Sequence, residues 1–303
     1  MKVVVAGGTG LVGRAITSAL LDGGHEVAVA SRSNPSDDPI DSRASWVHAD
    51  VTRPESLPAA LSGAEAVVDA VQFPNSPIEN PKKGYTFERI DYGGTLNLVD
   101  AAKSAGVPRY VGISGVGANE RAKFHWLRFK ALEEQYIAAS GVPFTILRGS
   151  WVYGPRDVSL NRFLGFAKFL PFVPVIGNGK TRINPLFIGD LGAHVALAVS
   201  RDDLRGRTFE IGGPRVMTMD EVVRAALAAS GKKRFLLHQP AALMKVVASV
   251  AQHVPGRPLT PDAIDFITME GVADTTALTA AFGLRLTPIE EGLATYLGEP
   301  SGS

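Results

Sequence analysis

Cysteine is absent from all 303 residues, which excludes disulfides, thiolate metal sites and cysteine nucleophiles together. An excess of either charge is missing too. The chain holds 31 basic and 30 acidic residues, a net charge of +1, so no global field draws in nucleic acid or an anionic membrane. No run reaches the roughly 18 uncharged apolar residues that a membrane span needs. The first apolar run begins at Val3, leaving no room for a signal or transit peptide, so the expected location is cytoplasmic. No metal site is expected. What is present is ordinary for a globular protein, with 45% hydrophobic and 20% charged residues. The length suits one large domain or one and a half.

Val3-Val4-Val5-Ala6 is apolar without alternation and reads as a strand buried on both faces. Gly7-Gly8-Thr9-Gly10 follows, and a helical pattern then opens through Leu11, Val12, Gly13, Arg14, Ala15 and Ile16. Gly7 permits a sharp turn, Gly10 lets backbone amides approach a pyrophosphate, and Gly13 lets the helix lie close on the strand. The helix start adds unpaired N–H groups and the positive end of its dipole. Strand, glycine loop and helix in that order point to a dinucleotide. An ordinary tight turn with nothing bound is the alternative.

Glu26–Ala30 reads as the second strand. An acidic residue at its end would accept from a ribose 2′-OH. The chain has Ser31-Arg32 there instead, with Arg14 beyond the glycine loop. Guanidinium groups hold a 2′-phosphate in a bidentate fork, so NADP(H) is expected over NAD(H). Further strands are expected at 46–49, 64–71, 109–115 and 143–148, with helices between them. Residues 34–43 and 73–84 read as loops, the second a possible lid. The pattern implies an α/β fold, a doubly wound parallel sheet with helices on both faces. Ser114, ending the fifth strand, faces the ligand crevice and is a substrate-side hydroxyl candidate.

The Gly-x-x-Gly-x-x-Gly spacing resembles the short-chain dehydrogenase/reductase superfamily in its extended or atypical branch. Asp91-Tyr92-Gly93-Gly94-Thr95-Leu96-Asn97 resembles that superfamily's Asn-x-x-Gly-Thr-x-Asn segment, with Asp91 at the first asparagine. The resemblance implies that Asp50, with Val51 beside it, meets the adenine; capping the next helix is the competing role, and Thr52 could fill that one equally well. It also implies that Ala70-Val71-Gln72 runs under the nicotinamide ribose and that Lys130 grips that ribose. Relatives carry Tyr-x-x-x-Lys, two side chains on one helix face, and the phenol moves the proton. This chain reads Trp126-Leu127-Arg128-Phe129-Lys130. Indole N–H only donates hydrogen bonds. His125, Ser114, Tyr85 and Tyr92 are alternative proton carriers. Trp126, with Ser114–Ala118 before it, resembles the atypical subgroup around the NADPH-holding accessory subunit of respiratory complex I, which is epimerase/dehydratase-like and NmrA-like.

Residues 1–155 are expected to form the nucleotide-binding domain. Residues 156–303 should form a substrate-side region that partly completes the sheet and is otherwise mostly helical. The apolar segment 160–176 is read as pocket wall or core, a membrane-resting segment being the third reading. Asp190 reads as a helix cap, Thr218–Glu221 as a capping box, 236–254 as one helix stopped by Pro255-Gly256, and 259–297 as two helices. Two functions follow. One is an NADP-dependent oxidoreductase on a small apolar substrate; the other is a non-catalytic NADPH-binding scaffold, sensor or accessory subunit. Oligomeric state is not readable.

Overall fold

A computed structural model of the chain describes residues 1–254 and 259–298. The first half alternates strand and helix: β1 (Lys2–Ala6), α1 (Leu11–Asp22), β2 (Glu26–Ser31), β3 (Ser45–His48), α2 (Leu57–Ala60) and β4 (Ala66–Asp69). It continues through α3 (Gly93–Ser104), β5 (Tyr110–Gly115), α4 (His125–Ala139) and β6 (Phe144–Gly149). Val3, Val4 and Val5 have no exposed surface. Val3 and Val5 join the core beneath α1, while Val4 and Ala6 join the core beneath α2 and α3. Burial of each valine contributes about 1.5–3 kcal/mol. That explains why the run does not alternate: both of its faces meet helices.

The second half holds β7 (Val152–Tyr153), α5 (Val158–Phe169), β8 (Phe172–Ile176), β9 (Arg182–Ile183), β10 (Leu186–Phe187) and α6 (Ile188–Ala198). Then come β11 (Arg207–Ile211), β12 (Met217–Thr218), α7 (Met219–Ala229), β13 (Phe235–Gln239), α8 (Ala241–Ala251), α9 (Pro261–Thr268), α10 (Thr276–Phe282) and α11 (Ile289–Leu297). β11 pairs with β6 and completes a seven-stranded parallel sheet in the order β11-β6-β5-β4-β1-β2-β3. The strand order reverses between β1 and β4. In such sheets the ligand crevice opens at that reversal, beyond the carboxyl ends of the strands.

Several expectations give way here. Residues 236–254 do not form one helix. Pro240, which lacks an N–H, separates β13 from α8, and β13 pairs in parallel with β8. The expected stop at Pro255-Gly256 lies outside the described residues. Residues 259–297 carry three helices rather than two. Asp190 lies inside α6 and is not its cap; its carboxylate accepts from Thr287 N and Thr287 Oγ1, both at 2.7 Å. Segment 160–176 splits into α5 and β8. Leu160, Leu164, Val173 and Val175 pack with α7 and α11 in a separate core. The capping box forms as read, with Thr218 and Glu221 bonded reciprocally at the start of α7.

Candidate functional site

The glycine loop joins β1 to α1 at the strand-order reversal. Gly7 has φ +77°, and a Cβ there would lie 2.4 Å from Ala70 O, so the loop rests against the chain leaving β4. A Cβ on Gly13 would lie 2.3 Å from Gly7 O, which fixes α1 close on the loop. Gly10 differs. It is the exposed N-cap of α1 and makes no side-chain cap, and a Cβ there would meet only Gly7 O, at 3.3 Å. The space over Gly10 and the amides that follow, with Thr9, Leu11 and Val12 around it, suits a diphosphate. The residues present therefore fit a dinucleotide.

Beside this loop, β2 ends at Ser31, whose Oγ accepts from Trp46 Nε1 at 2.9 Å and donates to Ser33 O at 2.9 Å. Arg32 is exposed, its guanidinium 5.6 Å from the centre of the Tyr85 ring, and it pairs with no carboxylate among the described residues. Arg14 is already engaged. Its guanidinium donates to Thr9 O (2.9 Å), Pro39 O (2.7 Å) and Asp38 O (2.6 Å), and lies 3.0 Å from the Asp38 carboxylate. Asp38 also pairs with Arg156. The 34–43 loop thus places a carboxylate between two arginines, which the sequence alone did not disclose. Asp50 Oδ1 accepts from Thr52 N (2.9 Å) and Thr52 Oγ1 (2.7 Å), so it closes a local turn. Val51 is buried against Gly94.

On the other side of the crevice lies a buried polar cluster. Asp69 at the end of β4 accepts from Thr95 Oγ1 at 2.7 Å, Tyr110 OH at 2.8 Å and Val71 N at 3.1 Å. Gln72 beyond it is exposed. Asp91 is fully buried and accepts from Phe73 N at 3.2 Å, leaving Oδ1 without a partner among the described residues. Lys130 Nζ lies 2.7 Å from Glu133 Oε2. Burial pushes both Asp91 and Glu133 up to about 7, although Lys130 opposes the rise. Burial disfavours the charged Lys130, but Glu133 and Asp91 outweigh it and hold the ammonium protonated well above its ordinary range. Lys130 is therefore ion-paired with Glu133 inside the protein. Ser114 Oγ donates to Glu134 Oε1 at 2.5 Å, and Glu134 pairs with Arg148.

Trp126 occupies the tyrosine position on α4 and is 3% exposed. Its ring stacks on Phe124 at 4.6 Å between centroids, with Phe266 of α9 at 5.7 Å and Phe87 at 6.1 Å. Its Nε1 has no hydrogen-bond partner among the described residues. Phe73, Phe87 and Ile90 complete this core, and Val71 packs on it, which joins it to the end of β4. This aromatic core is thus drawn from residues 71–90, α4 and α9, while 160–176 packs in the separate core described above. A wide turn with i→i+5 bonding over Phe87–Tyr92 precedes α3 and carries Asp91 inward. No helical periodicity announces such a turn. His125 stands at the edge of the cluster, its Nε2 3.2 Å from Glu79 Oε2. Tyr92 stacks on Phe129 at 5.7 Å.

A family profile described as NAD(P)H-binding matches residues 7–161. The mitochondrial NADH dehydrogenase [ubiquinone] 1 alpha subcomplex subunit 9 of Arabidopsis thaliana is 28% identical over 227 residues, 72% of this chain and 55% of that protein. The chain therefore spans about half the length of that relative. Photosystem II assembly factor Ycf39 of Synechocystis is 26% identical over 316 residues, covering 98% of this chain and 91% of that protein. Among solved structures, a Citrobacter triphenylmethane reductase complexed with NADP(H) superposes with a TM-score of 0.74 at 20% identity, covering 98% of this chain and 100% of that one. The Bacillus cereus UDP-glucuronic acid 4-epimerase complex with UDP-glucuronic acid and NAD gives 0.75 at 17% identity, covering 98% of both chains. At these identities the two structures show the fold.

Proposed function

The chain belongs to the NAD(P)H-binding family, in the atypical branch of the short-chain dehydrogenase/reductases, and from that premise we propose that it holds NADP(H) as a standing ligand rather than cycling it through carbonyl–carbinol chemistry. Trp126 carries this reading. The residue that would move the proton is an indole sealed in an aromatic stack, its N–H unpartnered among the described residues. Neither neighbour replaces it, since Lys130 is tied to Glu133 and Ser114 to Glu134.

The chain's own residues are assigned to binding. Amides following Gly10 receive the diphosphate, and Arg32 receives the 2′-phosphate, since no acid ends β2 to repel it. Asp50 and Val51 border the adenine, and Ala70, Val71 and Gln72 border the nicotinamide ribose. When bound, the nicotinamide supplies a hydride-transfer couple. A ligand held only by the folded state stabilises that state by mass action. The Arabidopsis relative is a subunit of a larger enzyme and the Synechocystis relative an assembly factor, as their names state. Both accord with a chain that acts by being held in shape. Cytoplasmic NADP(H) is the supply that the reading assumes.

One observation favours a second reading, an oxidoreductase on a small apolar molecule: His125 stands at the open edge of the aromatic wall, able to pass a proton. Absorbance of NADPH with a panel of quinones, enones and aldehydes separates the two. Tight binding with no consumption above the uncatalysed rate supports the first reading. Sustained consumption that disappears in His125→Gln overturns it.

A further inference from the structure

Charge is balanced over the chain but not along it. Residues 158–189 and 222–261 hold ten basic residues and no acidic one, whereas the rest hold 21 basic and 30 acidic. The fold brings these two stretches together. β8 pairs with β13 in the register Phe172↔Phe235 and Val173↔Leu236, so Val173 and Leu236 face the core while Phe172, Phe235 and Leu237 share the outer face. Phe169, at the end of α5, is 87% exposed and Phe235 60%. Arg234 Nε donates to Ala167 O at 3.2 Å and ties the two phenylalanine-bearing segments side by side.

After Pro240 the same apolar character continues along α8. Leu243, Val246, Val247 and Val250 follow the i, i+3, i+4, i+7 spacing of one helix face, and all four are exposed, Val250 at 68%. The only charged side chain of α8, Lys245, is turned to α9 and held by Asp265 at 2.6 Å. Ordinary surface helices point such a stripe inward; this one points it out. Around the phenylalanines lie Lys168, Lys232 and Lys233, none of which pairs with a carboxylate among the described residues. Asp220, nearby on α7, is bonded to His238 at 2.9 Å.

We propose that this face seats on the surface of an anionic lipid bilayer. Phe169, Phe235 and the α8 stripe enter the boundary between headgroups and acyl chains, and the three lysines lie over lipid phosphates. The bilayer is chosen over a second copy of the chain on charge. A two-fold interface would set this face, whose bordering acids Asp220 and Asp265 are already paired with His238 and Lys245, lysine against lysine, whereas anionic lipid complements it. Insertion is interfacial, since α8 has only 11 residues. The same placement leaves α9 between the bilayer and the aromatic wall, because Phe266 of α9 touches Trp126.

Sedimentation of the full chain with vesicles tests this. Binding is expected to vesicles of phosphatidylcholine mixed with phosphatidylglycerol at low salt, and not to phosphatidylcholine alone. Lys232→Glu with Lys233→Glu, and separately Val246→Gln with Val250→Gln, should each weaken it at least about tenfold. Both pairs of substitutions should leave the melting temperature and the NADPH affinity unchanged, because these side chains lie away from the glycine loop and largely in solvent. Failure of the wild-type chain to bind the mixed vesicles overturns the proposal. So does binding indifferent to the α8 substitutions, or a dimer in sedimentation equilibrium that those substitutions dissociate.

Discussion

Alanine at Gly10 and alanine at Gly13 should fail in different ways. At Gly13 the new Cβ would sit 2.3 Å from Gly7 O and 2.6 Å from Gly8 Cα, against an ordinary contact of 3.4 Å or more. Both obstacles are backbone, so α1 must lift by about 1 Å. Overpacking of this kind costs about 1–3 kcal/mol, and the better helix propensity of alanine returns up to about 1 kcal/mol. A net loss of about 1–2 kcal/mol lowers the melting temperature of a chain this size by about 2–3 °C. The displaced loop should also lose its nucleotide. At Gly10 the Cβ meets only Gly7 O, at 3.3 Å, so the fold should melt within about 1 °C of wild type, alanine being a slightly poorer N-cap. The methyl group instead fills the space assigned to the diphosphate, and NADPH affinity should fall at least about tenfold, or about 1.4 kcal/mol. Thermal melts and titration calorimetry on the two variants read both quantities. Wild-type affinity in Gly10→Ala would refute the anion's placement; a wild-type melt in Gly13→Ala would refute the packing argument.

Arg32→Asp should weaken NADPH binding at least about tenfold, the worth of one charge-assisted bond, and NADH binding hardly at all. Equal losses in competitive titration would remove the 2′-phosphate from Arg32. Asp38→Ala frees Arg14 and Arg156 from a shared carboxylate, so NADPH affinity should rise a few-fold, about 1 kcal/mol or less, with NADH unchanged. An equal gain for both nucleotides would contradict it. For Asp91, burial raises the folded-state value to about 7 from 3.8. The folded chain therefore keeps a proton that the unfolded chain releases, and stability falls as pH rises from about 4 to about 7, then levels. Asp91→Asn removes that loss, so its melting temperature relative to wild type should climb between pH 5 and pH 8. A pH-independent difference would show that the carboxyl ionises in the folded state as it does in the unfolded one.

The nucleotide half was legible because its signals are local. An unalternating valine run and glycines at fixed offsets each depend on near neighbours in sequence. The crevice's far side was not legible for the opposite reason. Asp69, Tyr110 and Thr95 meet across 26 and 41 residues of separation, and Phe266 reaches Trp126 from the far end of the chain. Asp91 stands out in the sequence as a departure from the Asn-x-x-Gly-Thr-x-Asn segment, but its burial follows from the wide Phe87–Tyr92 turn, which has no periodic signature. α8 shows a different gap. Its apolar spacing is plain in the sequence, but whether such a stripe faces core or solvent depends on its partners, and here α9 takes the other side.

Calorimetric titration of the purified chain with NADPH and with NADH tests the central claim most directly. The account predicts saturable binding of one nucleotide per chain, with NADPH the tighter of the two. Absence of heat with either nucleotide, or preference for NADH, would contradict it.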